Sequence, residues 1–189
     1  MSPQEFENFL KVWDAEAEKT VKVLKALPPD KYDFRPDPTG RSIGEMAWHL
    51  AEGDAYNSLG VAEGGFSPEM RPPGMERPKQ VEALAPGYER VHREAVARVR
   101  GMKPADLARK IPYFTAEEMS GGDILWGAVF HNIHHRAQLS MMCRLAGGVS
   151  PGVYGPNREE MAAMRAQAEA QKNSSPKAGA TAGAGSGKN

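Results

Sequence analysis

The sequence predicts an all-α protein, an antiparallel four-helix bundle with long connections and a disordered C-terminal tail. Four segments carry apolar residues at helical spacings of three and four. Stretches rich in proline and glycine separate these segments. The sequence shows no internal repeat and no alternation of strands with helices. A bundle is therefore the simplest fold that buries all four apolar stripes.

The first two helices have clear start signals. Ser2 is the predicted N-cap of the first helix, with Pro3 at its first position. Ser42 and Glu45 match the capping box that begins the second helix, and His49 lies in its second turn. The residues leave two roles open for Glu45, which are this cap and a contact with His49 or a metal ion.

A long connection and a third helix follow. Residues 60–78 contain four prolines and four glycines, which is typical of a connection rather than of a helix or strand. Long loops of this kind are often functional, but no motif assigns this one a role. Apolar residues at helical period predict the third helix over residues 81–102, before Pro104.

Residues 105–119 are ambiguous, because 111–115 fit either a short strand or an ordered loop. We favour the loop. Ser120 or Asp123 is expected to cap the fourth helix, which ends at two consecutive glycines, 147–148.

The chain is expected to contain one compact domain. Its 189 residues, 40% of them hydrophobic, suit a single core. Residues 1–157 form the predicted bundle, 158–172 a helical extension and 173–189 a tail. The tail is expected to be disordered and dispensable, since its Gly, Ala, Ser and Lys residues offer no large apolar side chain for packing.

Charge and composition argue against several classes of partner. Lys plus Arg and Asp plus Glu both total 24, so no net field favours nucleic acid or an anionic membrane. No apolar run approaches the roughly 20 residues that span a bilayer, and the N-terminus does not resemble a signal peptide. We therefore expect a cytoplasmic protein. Cys143, the single cysteine, is expected to be a buried thiol.

The histidine pattern indicates a metal site. His131 and His135 are one helical turn apart, so both imidazoles can point at one ion. His49 is the best third ligand, since His92 lies in a charge-rich stretch and His134 points about 100° away from His135. Three imidazoles would leave a coordination position open for water or substrate. The alternative is a set of surface or helix-capping histidines.

Four segments carry a resemblance to the DinB/YfiT-like family of metalloenzymes, over roughly residues 5 to 157. They are 27–30, 34–36, 41–50 and 131–139. The resemblance implies a four-helix bundle that holds a divalent metal, commonly zinc or nickel. One ligand would come from the second helix and two from the last bundle helix, and these positions are His49, His131 and His135 here. Many relatives have Gly where this chain has Ala137, a small change.

Neighbouring residues suggest supporting roles. Arg136 is a candidate for binding a cofactor carboxylate, and a structural salt bridge is its alternative. Asp54 is a candidate for orienting a metal ligand, and Gln138 for a hydrogen bond within the bundle. The tryptophans at 48 and 126 are expected to pack in the core, with the lining of a substrate cavity as the alternative.

The resemblance suggests a metal-dependent transferase that directs a low-molecular-weight thiol, such as bacillithiol, mycothiol or glutathione, onto an electrophile. A metal-dependent hydrolase, an isomerase and a non-catalytic, stress-related metal-binding protein are the alternatives. Any catalysis must depend on the metal, because we find no activated Ser or Cys constellation and no phosphate-binding loop. The expected partner is a small-molecule substrate, and a homodimer stays open as the assembly.

Overall fold

A computed structural model describes residues 1–113 and 115–174. Its contacts separate residues 1–153, which form the bundle, from a second unit that starts at Tyr154. The helices of the bundle unit are α1 (Pro3–Lys25), α2 (Ile43–Glu63), α3 (Leu84–Arg100), the short α4 (Pro104–Ala108) and α5 (Gly121–Leu145). Among the described residues, no helix has an apolar stretch long enough to cross a bilayer.

The predicted starts of α1, α2 and α5 are confirmed, whereas α3 begins at Leu84, three residues after its predicted start. The Ser2 and Ser42 hydroxyls each accept a hydrogen bond from the backbone N–H three residues later, and the glutamates there accept one back. Ser120 is the N-cap of α5. After α5 the chain reverses at Gly147, whose φ of 88° favours glycine, and Gly148 N donates to the Cys143 carbonyl.

The four long helices do not pack in chain order. Helix α1 packs on α3 and α5, and α2 packs on the same two helices. Helices α1 and α2 are therefore diagonal to each other. This arrangement joins α2 directly to α5, the two helices that carry the predicted metal ligands.

A layer of buried polar residues divides the core into two apolar clusters. One cluster contains Trp48 and Leu50, and the other contains Phe9 and Leu125. The layer contains the buried residues Thr20, Asp54, His92, Asn132 and Arg136 and the part-buried Glu16; in α3 and α5 these residues lie between the stretches that feed the two clusters. Buried polar groups are costly unless they are hydrogen-bonded, so this layer must be internally paired.

Our prediction of a loop for residues 105–119 is wrong. The segment contains α4 and an antiparallel hairpin, β1 (Lys110–Tyr113) and β2 (Thr115–Ser120). Ile111 is fully buried in the second apolar cluster, which holds β1 against the bundle. Pro112 is tolerated because β1 is an edge strand.

The connection between α2 and α3 is held by specific contacts. The buried Trp48 indole donates a hydrogen bond to the Met75 carbonyl over 3.2 Å, so this tryptophan packs as expected. Phe66 lies on Gly60, where a Cβ would come within 2.2 Å of the phenyl ring. These contacts hold the connection against the second and the last turns of α2.

The second unit contains α6 (Arg158–Ser174), in which no residue is buried. Asn157 begins it as a cap, because its side-chain oxygen accepts a hydrogen bond from Glu160 N over 2.7 Å. The helix extends two residues beyond the predicted end at 172. The remainder of the predicted tail, residues 175–189, lies outside the described residues.

Candidate metal centre

The structure brings His49, His131 and His135 together. The capping box fixes the start of α2 and places His49 opposite the two α5 histidines. Ring centroids are 5.0 Å apart for His49 and His131, 4.8 Å for His49 and His135, and 4.3 Å for the α5 pair. One nitrogen of each ring lies within 4.8 Å of the other two.

This donor set fits a divalent ion such as zinc. A tetrahedral ion with Zn–N bonds of about 2.1 Å holds its ligand nitrogens roughly 3.4 Å apart. The three nitrogens therefore need only small torsional adjustments to reach one ion. Three half-buried neutral imidazoles form an open site, which leaves a position for water or substrate.

Neighbouring side chains select the nitrogens that face one another. Glu52 Oε2 lies 3.3 Å from His49 Nδ1, and Gln138 Oε1 lies 2.6 Å from His135 Nδ1. These contacts leave Nε2 of His49 and of His135 to face the centre. Carbonyl or carboxylate partners of this kind fix the tautomer of metal-binding histidines.

Electrostatics keep two of the rings neutral. Burial lowers the pKa of His131, and the nearby His135 and His49 rings lower it further. Burial also lowers the pKa of His135. The positive charge of the exposed Arg41 makes a smaller contribution to lowering both pKa values. Neutral imidazole is the form that binds metal.

The centre opens on a cleft of about 360 Å³, lined by His49, Glu52, Gly53, Tyr56, Asn57, Tyr113 and His131. Tyr56 and Asn57 also line an adjoining cavity of about 620 Å³, together with Phe66, Ser67, Pro68, Met70, Arg71 and Pro112. The Tyr113 hydroxyl donates to Asn57 Oδ1 over 2.9 Å where the two spaces meet. The α2–α3 connection thus forms one wall of a mainly apolar chamber beside the histidines.

Glu45 and Arg136 lie elsewhere. Glu45 serves as the cap, and its hydrogen bonds with Arg35 and Ser42 lower its pKa to about 2. The Arg136 guanidinium is only 2% exposed and donates to Glu16 Oε2 over 2.6 Å. The structure therefore shows the salt-bridge alternative for Arg136 and does not bring this residue to the histidines.

Three further candidates have defined positions. His134 is exposed, and its Nε2 lies 3.1 Å from Gln138 Nε2. Gln138 thus contacts both His134 and His135, whereas we expected a bond within the bundle. Asp54 is fully buried and contacts none of the three clustered histidines directly.

Sequence reasoning assigned no role to two residues that make defined polar contacts, Glu52 and His92. Glu52 lies three residues after His49, a spacing that puts it on the same helical face. His92 is buried, with Nδ1 2.8 Å from Asp54 and Nε2 3.1 Å from Asp14. A signal for His92 was present, since it lies on the α3 stripe at four residues after Tyr88 and three before Ala95.

Fold and site together define a helical-bundle protein with an open three-histidine centre. The sequence pattern of the DinB family matches residues 1–173, and the chain belongs to that family. It is similar to the uncharacterized protein YrdA of Bacillus subtilis, with 26% identity over 84% of this chain and 93% of YrdA.

Solved structures show the same fold. A DinB-like protein from Bacillus cereus is 28% identical, with a TM-score of 0.64 over 78% of this chain and 97% of its own. YfiT from Bacillus subtilis, described as a probable metal-dependent hydrolase with an unusual four-helix bundle topology, is 15% identical. Its TM-score is 0.60 over 78% of this chain and 90% of YfiT.

Proposed function

We propose that this protein is a cytoplasmic, metal-dependent transferase in which His49, His131 and His135 hold one divalent ion, zinc or nickel. Its substrates are a low-molecular-weight thiol and an electrophile. The observation that supports this proposal best is the convergence of three imidazoles, two of them with lowered pKa values, on a cleft.

A bound divalent ion lowers the pKa of a coordinating thiol, and so supplies a nucleophile at neutral pH without a nearby base. The chain's own contribution is to keep the ligands neutral and oriented. Histidines bind metal as neutral imidazoles, so three such ligands would leave the positive charge of the ion undiminished. The mainly apolar chamber beyond Tyr56 suits the body of an aryl or alkyl electrophile.

A metal-dependent hydrolase is the second candidate, and Glu52 favours it. Its carboxylate lines the cleft beside His49, and 42% of its side chain is exposed. A carboxylate in this position can accept a proton from an attacking water. The two candidates differ in the nucleophile and share the metal centre.

One experiment separates these functions. Metal-loaded protein is assayed for conjugation of a chloro-dinitro-aromatic with each of several cellular thiols, and for hydrolysis of aryl esters and amides. Metal-dependent conjugation supports the transferase. Metal-dependent hydrolysis with no conjugation supports the hydrolase. If neither reaction occurs and thiols leave the spectrum of cobalt-substituted protein unchanged, a non-catalytic role replaces both.

We also propose that Arg41, instead of Arg136, binds a carboxylate of the thiol. Arg41 is exposed directly before the N-cap of α2, and its charge contributes to lowering the pKa of both His131 and His135. Arg41→Gln is expected to weaken binding of a carboxylate-bearing thiol about tenfold, the loss of one charge-assisted hydrogen bond. Binding of uncharged 2-mercaptoethanol and the metal content should stay at parental values.

Calorimetric titration of both thiols into holoprotein measures this effect. Arg100→Gln, at the C-terminal end of α3, is the matched control for loss of an exposed arginine. An equal loss of affinity for both thiols would contradict the assignment of Arg41.

A further inference from the structure

Two buried polar atoms next to each other in sequence are unpaired among the described residues. They are Nδ1 of His131 and Oδ1 of Asn132, both without solvent exposure. Buried polar atoms are nearly always hydrogen-bonded, so each such atom requires an explanation. Asn132 raises the pKa of the His131 ring and so partly opposes the effect of burial, although the two unpaired atoms do not meet hydrogen-bond geometry with each other.

The orientation of the Asn132 amide is well determined. Its Nδ2 group donates to the Leu50 carbonyl over 3.1 Å and to Asp54 Oδ1 over 2.8 Å. Both contacts are with acceptors, so the amide nitrogen must face them and Oδ1 must point the other way. Asn132 can thus offer His131 only an acceptor.

The buried Nδ1 of His131 does not open on the cleft. This ring lines the cleft, but its Nδ1 has no exposure; an acceptor at that buried nitrogen would leave Nε2 for the side of the other two histidines. The Nδ1 atoms of the other two histidines already have acceptors: Glu52 for His49, and Gln138 for His135. His131 needs a third acceptor, and Asn132 is beside it.

We infer that Asn132 is a positioning residue for the metal centre: its Oδ1 accepts the Nδ1–H of His131 and holds Nε2 toward the ion. This inference rests on the proposed metal site. The anchor extends across the bundle, because Asp54 holds Asn132 and also accepts hydrogen bonds from Trp13 Nε1 and from His92. The orientation of one ligand therefore depends on contacts with α1 and α3.

Gly53 makes room for this arrangement. A Cβ at position 53 would lie 2.6 Å from Asn132 Oδ1. Gly53 lies one turn after His49 on α2, in a helix interior where Ala would otherwise be favoured by about 0.5–1 kcal/mol. A residue with any side chain at this position would displace the acceptor from His131.

The test begins with the parent protein. Long-range ¹H–¹⁵N NMR of the zinc-loaded and metal-free forms identifies which nitrogen of His131 carries the proton. A protonated Nδ1 in slow exchange with solvent is expected. A His131 ring protonated at Nε2, or an Nδ1 that coordinates the ion, overturns the inference even if every variant misfolds.

Variants then measure the effect on binding. Asn132→Leu and Gly53→Ala are each expected to weaken zinc affinity about 10- to 100-fold and to change the visible spectrum of cobalt-substituted protein. Thr20→Val, which removes a buried hydroxyl elsewhere in the polar layer, should lower stability and leave both readouts unchanged. Parental affinity and spectrum in folded Asn132→Leu overturn the inference. Absence of zinc binding by the parent would instead refute the proposed metal site.

Discussion

His131→Ala is expected to remove most of the divalent metal that co-purifies with the protein. Metal-binding free energies of about 10–16 kcal/mol in four-ligand zinc sites correspond to roughly 3 kcal/mol for each ligand. Loss of one of three imidazoles should therefore raise the Kd for zinc by at least about two orders of magnitude. Metal content after dialysis, followed by competition with a chromophoric chelator, measures the change.

His134→Ala is the matched control, since His134 is on the same helix and is exposed. It should retain parental metal content. His49→Ala tests the ligand from the other helix and should lose metal as His131→Ala does. Retention of metal by both of these variants, with its loss from His134→Ala, would show that the ligand set is wrong.

Local signals made the helices and the histidine cluster predictable. Caps at Ser2 and Ser42 and the regular apolar period depend on neighbours a few residues away, so a sequence displays them directly. The pairing of His131 with His135 is likewise a property of one helix. The position of His49 beside them depends on a tertiary contact between two helices. The prediction of this contact used both the helix-start pattern and the family resemblance.

The features that the sequence did not reveal all depend on distant contacts. The diagonal placement of α1 and α2 follows from which faces interlock, and the hairpin is held by burial of Ile111. Arg136 is adjacent to a predicted ligand, but the helix turns it about 100° toward α1, where Glu16 binds it. Its neighbour in sequence was therefore a poor guide to its partner in space.

Asp54→Ala is expected to destabilise the fold by about 3–5 kcal/mol, the usual effect of breaking a buried ion pair. Asp54 accepts hydrogen bonds from Trp13 Nε1 at 3.0 Å and Asn132 Nδ2 at 2.8 Å, and its other oxygen lies 2.8 Å from His92 Nδ1. The truncation leaves these three donors without their acceptor. Small domains have total stabilities of about 5–15 kcal/mol, so the loss is a large fraction.

Urea unfolding of metal-free protein measures this effect without interference from metal binding. Glu94→Ala, which breaks the exposed Arg90–Glu94 pair, is the control and should cost less than about 1 kcal/mol. A similar small cost for Asp54→Ala would mean that the polar layer does not stabilise the bundle.

The same network predicts how stability varies with pH. Burial alone would lower the pKa of His92, but hydrogen bonds and charges of Asp54 and Asp14 outweigh it and raise that pKa above its ordinary value of 6.5. Because the folded state holds the proton more tightly than the unfolded state, the stabilisation is complete below pH 6.5. It is lost as the pH rises through the raised value.

The free energy of unfolding of the metal-free parent should therefore fall as the pH rises above 6.5 and through the raised pKa of His92. In His92→Gln this decrease should be absent, although the variant is less stable at pH 6 because two carboxylates lose their cationic partner. Asp14→Asn removes the more exposed carboxylate and should shift the transition to lower pH, since only Asp54 then raises the pKa of His92. An unchanged pH dependence in His92→Gln would assign it to another group.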